Sequence, residues 1–271
     1  MKLGFAPATG MMLDFEHAFK LAEELELDFI ELAYDLHEIE PSLQAPDRIR
    51  ALKQATGLSV TIHLAYVDFN LASLVPAARE TAVERTLRGI EYAVEVGATC
   101  GVLHSGRHYL RHPVVDPYVE GALESSLARL QGLDFAIALE NLALGDDDLL
   151  QGPEALKEVT ERHQLINCLD FGHANVEASR ATLRGEPAGD LCARYLQVLN
   201  GSIRHLHLHN NDGTGDQHRP TNLGTIKFDA YRDYLKAFTG TACLELVGGE
   251  QAIRASVAHL RALLDTDRWE H

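Results

Sequence analysis

Short apolar runs alternate with longer amphipathic runs along the whole chain. The short runs combine β-branched and aromatic residues over a few positions, as in "FAIALEN" and "TACLELV", which is typical of β-strands buried in a parallel sheet. Eight candidate strands follow from this pattern, at residues 2–6, 28–33, 58–65, 99–105, 135–141, 165–172, 202–210 and 241–247.

The longer runs carry apolar residues at spacings of three and four with charges on the other face, which predicts helices. The candidate helices cover residues 15–27, 78–98, 113–131, 152–163, 188–199, 228–238 and 250–264. Strands that alternate with helices are parallel and joined by crossovers. Because the 271 residues contain no Pro- or Gly-rich linker, we expect an α/β fold with a single (β/α)8 TIM-barrel domain over residues 1–271.

The charge balance argues against a general affinity for polyanions. The chain has 24 Lys and Arg against 40 Asp and Glu, a net charge of −16, which repels phosphate backbones and anionic lipid. Neither GxGxxG nor a P-loop motif is present. We expect no secretory signal, because residues 1–20 lack a long apolar core before a small-residue cleavage site. We expect no membrane span, because no apolar run reaches about 20 residues. Four widely spaced cysteines without a CxxC pair favour buried free thiols and a cytoplasmic location.

Metal-competent side chains stand near the ends of successive candidate strands. They are His63, His104, Glu140, Asp170 with His173 just beyond it, His207 and Glu245. In a barrel of this kind the carboxyl ends of the strands surround one cavity, where the active site lies. The period-two alternation then places small or apolar residues beneath them, such as Ala138 under Glu140 and Cys168 under Asp170. This joint pattern predicts a metal site at the carboxyl ends of the strands.

The stretch "HLHLHNNDGTGDQH" adds a second group of ligand types. His205, His207 and His209 share one face of the seventh strand, with His207 level with the other strand ends. His205 is expected to lie deeper as a hydrogen-bonded core histidine, and His209 to stand at the rim. The following loop returns Asp216 and His218 to the periphery.

Glu31 in "FIELA" is expected to point inward on the second strand. It either contacts substrate or pairs with a buried donor, and the sequence leaves both interpretations open. The mixed oxygen and imidazole ligands, without thiolate, suit Zn²⁺, Mn²⁺, Co²⁺ or Fe²⁺ better than Ca²⁺.

The motifs "LHSGRH", "ALEN", "CLDFGHAN", "HLHLHNNDGTGDQH" and "LELVGG" resemble the xylose isomerase-like TIM barrels, a superfamily that includes endonuclease IV-type AP endonucleases. The resemblance covers essentially the whole chain. It implies a central metal bound by Glu140, Asp170, His207 and Glu245. In the endonuclease IV branch Glu140 bridges to a second metal on His63 and His104, and a third metal takes His173, Asp216 and His218. In the sugar branch one metal suffices, and the residue matching His173 binds substrate hydroxyls.

Two enzymatic functions follow from this resemblance. The first is a sugar or sugar phosphate isomerase or epimerase, in which Glu140 and Glu245 act as base and acid while His173, Glu31, His63 and His104 contact substrate. The alternative is an AP endonuclease that cleaves abasic DNA with three zinc ions. Between one and three Zn²⁺ or Mn²⁺ ions per chain are expected, and a homo-oligomer and a non-catalytic metal-dependent binding protein stay open. Six loop residues could hold a substrate phosphate, namely Arg107, Arg111, Arg180, Arg184, Arg219 and Lys227.

Overall fold

The computed structural model describes residues 1–186 and 189–265. In this part of the chain eight parallel strands close into a barrel in sequence order, each pairing with the next and β8 pairing with β1. The strands are β1 (Lys2–Phe5), β2 (Phe29–Ala33), β3 (Ser59–His63), β4 (Gly101–Leu103), β5 (Ile137–Glu140), β6 (Ile166–Asp170), β7 (Ile203–Leu208) and β8 (Thr241–Leu244). The predicted TIM barrel is therefore confirmed.

Helices surround the barrel and cover its outer face. They are α1 (Phe15–Glu24), α2 (Tyr34–Ile39), α3 (Pro46–Thr56), α4 (Pro76–Val96), α5 (Asp116–Ala128), α6 (Gly152–His163), α7 (Phe171–Leu183), α8 (Leu191–Val198), α9 (Arg232–Ala237) and α10 (Gly249–Leu264), with single 3-10 turns at Gly145–Asp147 and Phe228–Tyr231. No helix in the described ranges is long and apolar enough to cross a membrane.

Several sequence expectations about element boundaries were wrong. The strand predicted to reach residue 172 ends at Asp170, because the Asp170 carboxylate accepts a hydrogen bond from the backbone N–H of His173 and caps α7. Helices α2 and α3 lie in a stretch for which the sequence pattern predicted no helix. The predicted start of α8 at Ala188 lies outside the described residues, as do residues 266–271 of the predicted domain.

The main hydrophobic core lies between the outer face of the barrel and the helices. Two small clusters fill the barrel interior instead. One contains Val102, Ala138 and Cys168, and the other contains Phe29 and Cys243 with Ala6. These residues lie beneath the polar strand ends, as the alternation predicted, and give the site a packed base.

Candidate metal centre

The imidazole of His207, on β7, lies at the centre of the polar cluster above the barrel interior. Its Nδ1 atom is 2.8 Å from Oε1 of Glu140, 3.3 Å from Oε2 of Glu245 and 3.7 Å from Oδ2 of Asp170. Glu140 ends β5, Asp170 ends β6 and Glu245 directly follows β8. Because parallel strands deliver their carboxyl ends to one side of the barrel, the four predicted central ligands lie together.

The second oxygen of Glu140 faces two histidines from the neighbouring strands. Its Oε2 atom lies 2.9 Å from Nε2 of His104 and 3.6 Å from Nε2 of His63. The group His63, His104 and Glu140 brings three ligand atoms within metal-binding reach of one another. Glu140 thus lies between this group and the group around His207, as a bridging carboxylate must.

An outer group forms around Asp216, in the loop after β7. The Oδ2 atom of Asp216 lies 2.9 Å from Nε2 of His218 and 3.3 Å from Nε2 of His173. His173 comes from the first turn of α7, directly after the ligand Asp170. The structure therefore brings together all nine ligand positions that the resemblance implied, in three adjoining groups.

Three of these histidines share one tautomeric arrangement. The Nδ1 atom of His63 lies 2.9 Å from the carbonyl of Leu64, that of His173 lies 2.8 Å from the carbonyl of Asn141, and that of His218 lies 3.0 Å from the carbonyl of Glu245. Because a carbonyl only accepts, each Nδ1 carries the proton and donates it. In the neutral form of each ring the Nε2 lone pair would then be the one on the side of the carboxylates, which is the tautomer that a metal ligand needs.

His209 is a ligand-type residue that the sequence placed wrongly. It was expected at the rim, but its side chain is fully buried, with Nε2 3.0 Å from Oδ2 of Asp170 and 3.5 Å from Oδ1 of Asp216. Its ring stacks on that of His218 with 4.1 Å between centroids. This position depends on Gly172, since a Cβ atom there would lie 1.9 Å from Cε1 of His209.

Glu31 pairs with buried donors beneath the ligands. Its Oε1 atom lies 3.1 Å from Nε2 of His207, while Oε2 lies 3.0 Å from Nε2 of His205 and accepts a hydrogen bond of 2.7 Å from Thr61. Glu31 also lines the cavity above, but only 1% of its surface is exposed. His205 is the buried, hydrogen-bonded core histidine that the alternation predicted, since its Nδ1 also meets Oγ1 of Thr241 at 2.7 Å.

The electrostatics of the cluster follow from burying opposite charges together. Burial opposes ionisation, yet the surrounding imidazoles hold the pKa of Glu140 and of Glu31 well below the usual range. Burial also opposes the imidazolium form of His207, but the carboxylates of Glu245 and Glu140 raise its pKa well above the usual value. The same competition raises the pKa of His218 to about 9, mainly through its hydrogen bond to Asp216.

The side chains present fit a divalent cation. Three buried carboxylates, those of Glu140, Asp170 and Glu245, converge within 4 Å of one imidazole nitrogen, an arrangement that needs positive charge to be stable. The donors are oxygen and imidazole nitrogen, which suits Zn²⁺ or Mn²⁺. Cys168 lies nearby, but burial raises the pKa of its thiol well above the usual value, so it stays protonated.

Two connected cavities open above these ligands. The inner pocket has a volume of about 470 Å³ and is lined by Glu31, Glu140, Glu245, Met11 and Val247. The outer pocket has a volume of about 340 Å³ and is lined by Phe69, Arg107, Tyr109, Leu142 and Leu144. Both are also lined by Tyr66, His104, His173 and Asp216, so that the two pockets adjoin directly over the metal-competent groups.

The chain matches the family described as xylose isomerase-like TIM barrel over residues 19–263, and it belongs to that family. It is 27% identical to the fructoselysine 3-epimerase of Shigella flexneri over 292 aligned positions that cover 98% of this chain and 99% of that protein. It is 26% identical to an uncharacterized protein of Methanocaldococcus jannaschii, with 91% and 92% of the two chains covered.

Solved structures share the same fold. A D-tagatose 3-epimerase-like protein superposes with a TM-score of 0.81 at 22% identity, covering 98% of this chain and 97% of that one. A Thermus thermophilus protein soaked with ZnCl2 gives 0.72 at 26% identity, with 98% of each chain covered. Endonuclease IV of Thermus thermophilus gives 0.70 at 21% identity, with 98% and 99% covered. Sugar epimerases and endonuclease IV thus both occur among the structural neighbours.

Proposed function

We propose that this protein is a divalent-metal-dependent sugar isomerase or epimerase. The observation that carries the proposal is the pair Glu140 and Glu245, which approach the same imidazole nitrogen from β5 and from the end of β8 and both line the inner pocket. Two carboxylates in one pocket can remove a proton from a substrate carbon and return it from another direction. This is the chemistry that inversion or carbonyl migration in a sugar requires.

The central group Glu140, Asp170, His207 and Glu245 would hold the metal, which when bound supplies a Lewis acid that polarises the sugar carbonyl. One of the two glutamates, as the carboxylate, would take the proton from the carbon next to the carbonyl, giving an enediolate, and the other, which must start as the carboxylic acid, would return a proton to the opposite face. His173 presents Nε2 towards the cavity and orients substrate hydroxyls, and His63 and His104 lie beside the same substrate position. The buried base of the barrel excludes water from below.

The comparisons support a sugar as substrate and a divalent metal as cofactor. The relative that aligns over 98% of this chain is named for epimerisation of a sugar derivative. Zinc was introduced into one structural neighbour, and the groups of His, Asp and Glu described above offer it ligands here. All four cysteines are free and buried, which supports our further proposal of a reducing, cytoplasmic location.

An AP endonuclease is the second candidate, and the outer group around Asp216 favours it, because a one-metal epimerase leaves Asp216 and His218 without a metal. The six lysine and arginine residues of the loops that could hold a substrate phosphate argue against the nuclease, because contacts to phosphate dominate DNA affinity. Five of the six already bind protein acceptors: Arg107 on Asp147, Arg111 on the carbonyl of Asp148, Arg180 on the carbonyl of Ala143, Arg184 on Glu186 and Arg219 on Asp212. The net charge of −16 adds repulsion.

Solvent hydrogen exchange tests the proposed function without knowledge of the exact sugar. Metal-loaded protein is incubated in D₂O with a panel of ketoses and aldoses, and we expect deuterium to enter one carbon next to a carbonyl. Glu140→Gln and Glu245→Gln should abolish this exchange and keep the fold by circular dichroism. Exchange at the wild-type rate in either variant would refute the assigned roles.

Asp216→Ala separates the two candidate functions. An epimerase that uses only the central group should retain most of its turnover in this variant, whereas a three-metal nuclease should lose cleavage of abasic DNA. Elemental analysis of protein purified without chelators adds the stoichiometry. Close to three zinc ions per chain together with cleavage of abasic DNA would replace the proposed function with the nuclease.

A further inference from the structure

The outer pocket gives the substrate site more room than a single monosaccharide needs. The inner pocket lies directly over Glu140 and Glu245 and has the dimensions of a ligand site by itself, at about 470 Å³. The outer pocket continues from it past Tyr66 and His104 and adds a separate volume of about 340 Å³. A sugar placed against the two glutamates therefore leaves the outer pocket open for whatever is attached to that sugar.

Aromatic and apolar side chains form one part of the outer pocket. Phe69 and Leu142 are buried beneath it, whereas Tyr66 is 44% exposed and Tyr109 is 74% exposed. The guanidinium carbon of Arg107 lies 5.3 Å from the centroid of the Tyr109 ring, which holds this exposed ring in place. Exposed aromatic rings above an apolar base favour stacking against the face of another ring.

The charges of the outer pocket disfavour a phosphate. Arg107 is the one lysine or arginine among its described lining residues, and it is paired with Asp147 at 2.8 Å. Two carboxylates, Asp68 and Asp216, line the same space. A phosphate there would face two carboxylates and a guanidinium that is already paired, whereas an uncharged ring would meet none of this repulsion.

We propose that the outer pocket binds an uncharged ring joined to the reacting sugar, so that the preferred substrate is a sugar conjugate whose sugar part retains a carbonyl, as a keto-glycoside does, and is bound in preference to a free monosaccharide or a sugar phosphate. This inference rests on the proposed function, because it takes the inner pocket as the site of the reacting sugar. It assigns Tyr66 and Tyr109 as residues that determine specificity through contact with the attached ring.

Matched pairs of glycosides test this assignment. Methyl and 4-nitrophenyl glycosides of glucose, galactose and mannose, which lack the reacting carbonyl and serve only as binding probes, are titrated calorimetrically into metal-loaded protein, together with the hexose 6-phosphates. We expect the 4-nitrophenyl glycoside of at least one hexose to bind about tenfold more tightly than its methyl counterpart, a gain of the size that aromatic contact and burial supply. The 6-phosphates should bind no better than the methyl glycosides.

Two tyrosine variants locate the effect. Tyr109→Ala should reduce the ratio of 4-nitrophenyl to methyl affinity several-fold. Tyr118→Ala is the matched control, because Tyr118 is 70% exposed on α5 and lines neither pocket, and it should leave the ratio unchanged. Both side chains are exposed, so both variants should fold.

Equal affinity for the two glycosides of every hexose, absence of binding by either, or an unchanged ratio in Tyr109→Ala would overturn the assignment. Tighter binding of a hexose 6-phosphate would overturn it too. The hydrogen-exchange assay with free sugars reports on the proposed function separately. If hydrogen exchange occurs but the 4-nitrophenyl and methyl glycosides bind equally well, the proposed epimerase function is retained and only the outer-pocket inference is refuted.

Discussion

At the scale of single residues, Glu31 decides which nitrogen of His207 faces the metal position. Glu31 is buried, and its carboxylate accepts the proton of Nε2, so that once His207 gives up its second proton the lone pair of Nδ1 would point at Glu140, Asp170 and Glu245. A carboxylate on the far nitrogen of a ligating histidine fixes the tautomer and raises the basicity of the ligand. His205 and Thr61 hold Glu31 in turn. We therefore regard Glu31 as a positioning residue.

Glu31→Gln should lower metal affinity by about tenfold to a hundredfold, because the amide offers His207 no charge and two competing tautomers become available. Competition with a chromogenic chelator measures this affinity, and ¹⁵N chemical shifts of the histidine ring report the tautomer directly. Glu154→Gln serves as the control, since Glu154 is exposed and pairs only with Arg194. Unchanged affinity in a folded Glu31→Gln protein would show that this contact is merely structural.

At the scale of elements, the strands were predictable and some helices were not. A strand covered on both faces is apolar over much of its length, so most of the eight appear as apolar runs, whereas β7 alternates leucine with His205 and His207. Helix α3 carries only one buried residue, Ile49, and its polar sequence gives little amphipathic signal. Helix α7 begins at Phe171, directly after the ligand Asp170, so "DFGHAN" resembles a site loop although it is a helical first turn.

Helix α7 also carries a carboxyl group whose burial affects stability. Glu177 packs against Tyr195 of α8, whose hydroxyl donates to it at 3.1 Å. Burial, with the nearby carboxyl of Asp148, raises the pKa of Glu177 to about 7 from a usual 4.5. Burial likewise raises the pKa of Asp148 to about 6. The unfolded chain releases these protons at lower pH than the folded protein, so folding becomes less favourable as pH rises through this range.

Glu177→Gln should therefore stabilise the protein at pH 8 by about 2 kcal/mol relative to wild type, and should have little effect near pH 4.5, where the glutamic acid is neutral. The amide oxygen can still accept from Tyr195. Urea unfolding at the two pH values measures the difference, with Glu161→Gln on the exposed face of α6 as the control. A stabilisation that does not change between pH 4.5 and pH 8 would contradict this account.

At the scale of the whole molecule, barrel topology explains why most of the candidate site was predictable. Side chains at the carboxyl ends of parallel strands converge wherever the barrel closes, so the grouping of Glu140, His207 and Glu245 follows from strand order. The outer pocket does not follow from it, because two long loops meet there through an isolated bridge between Arg107 and Asp148. The burial of His209 likewise depends on the absence of a Cβ atom at Gly172 of α7. The sequence around His209 does not reveal this contact.

We expect the concentration of buried charge at one end of the barrel to make the stability of the whole fold depend on metal. Without metal, the carboxylates raise the pKa of His207 and His173 well above the usual value, so bound protons supply the compensating charge. Metal must displace these protons, and its binding should weaken as pH falls.

We expect removal of metal by a chelator to lower the melting temperature by of the order of 10 °C, because a ligand at a thousand times its Kd stabilises the folded state by about 4 kcal/mol. Re-addition of Zn²⁺ or Mn²⁺ should restore the original value. Titration of Zn²⁺ in two buffers of different ionisation enthalpy should give different apparent heats, since each ion bound releases protons to the buffer. Identical heats would mean that the histidines are already neutral in the metal-free protein, and an unchanged melting temperature would mean that the buried charges are balanced without a metal.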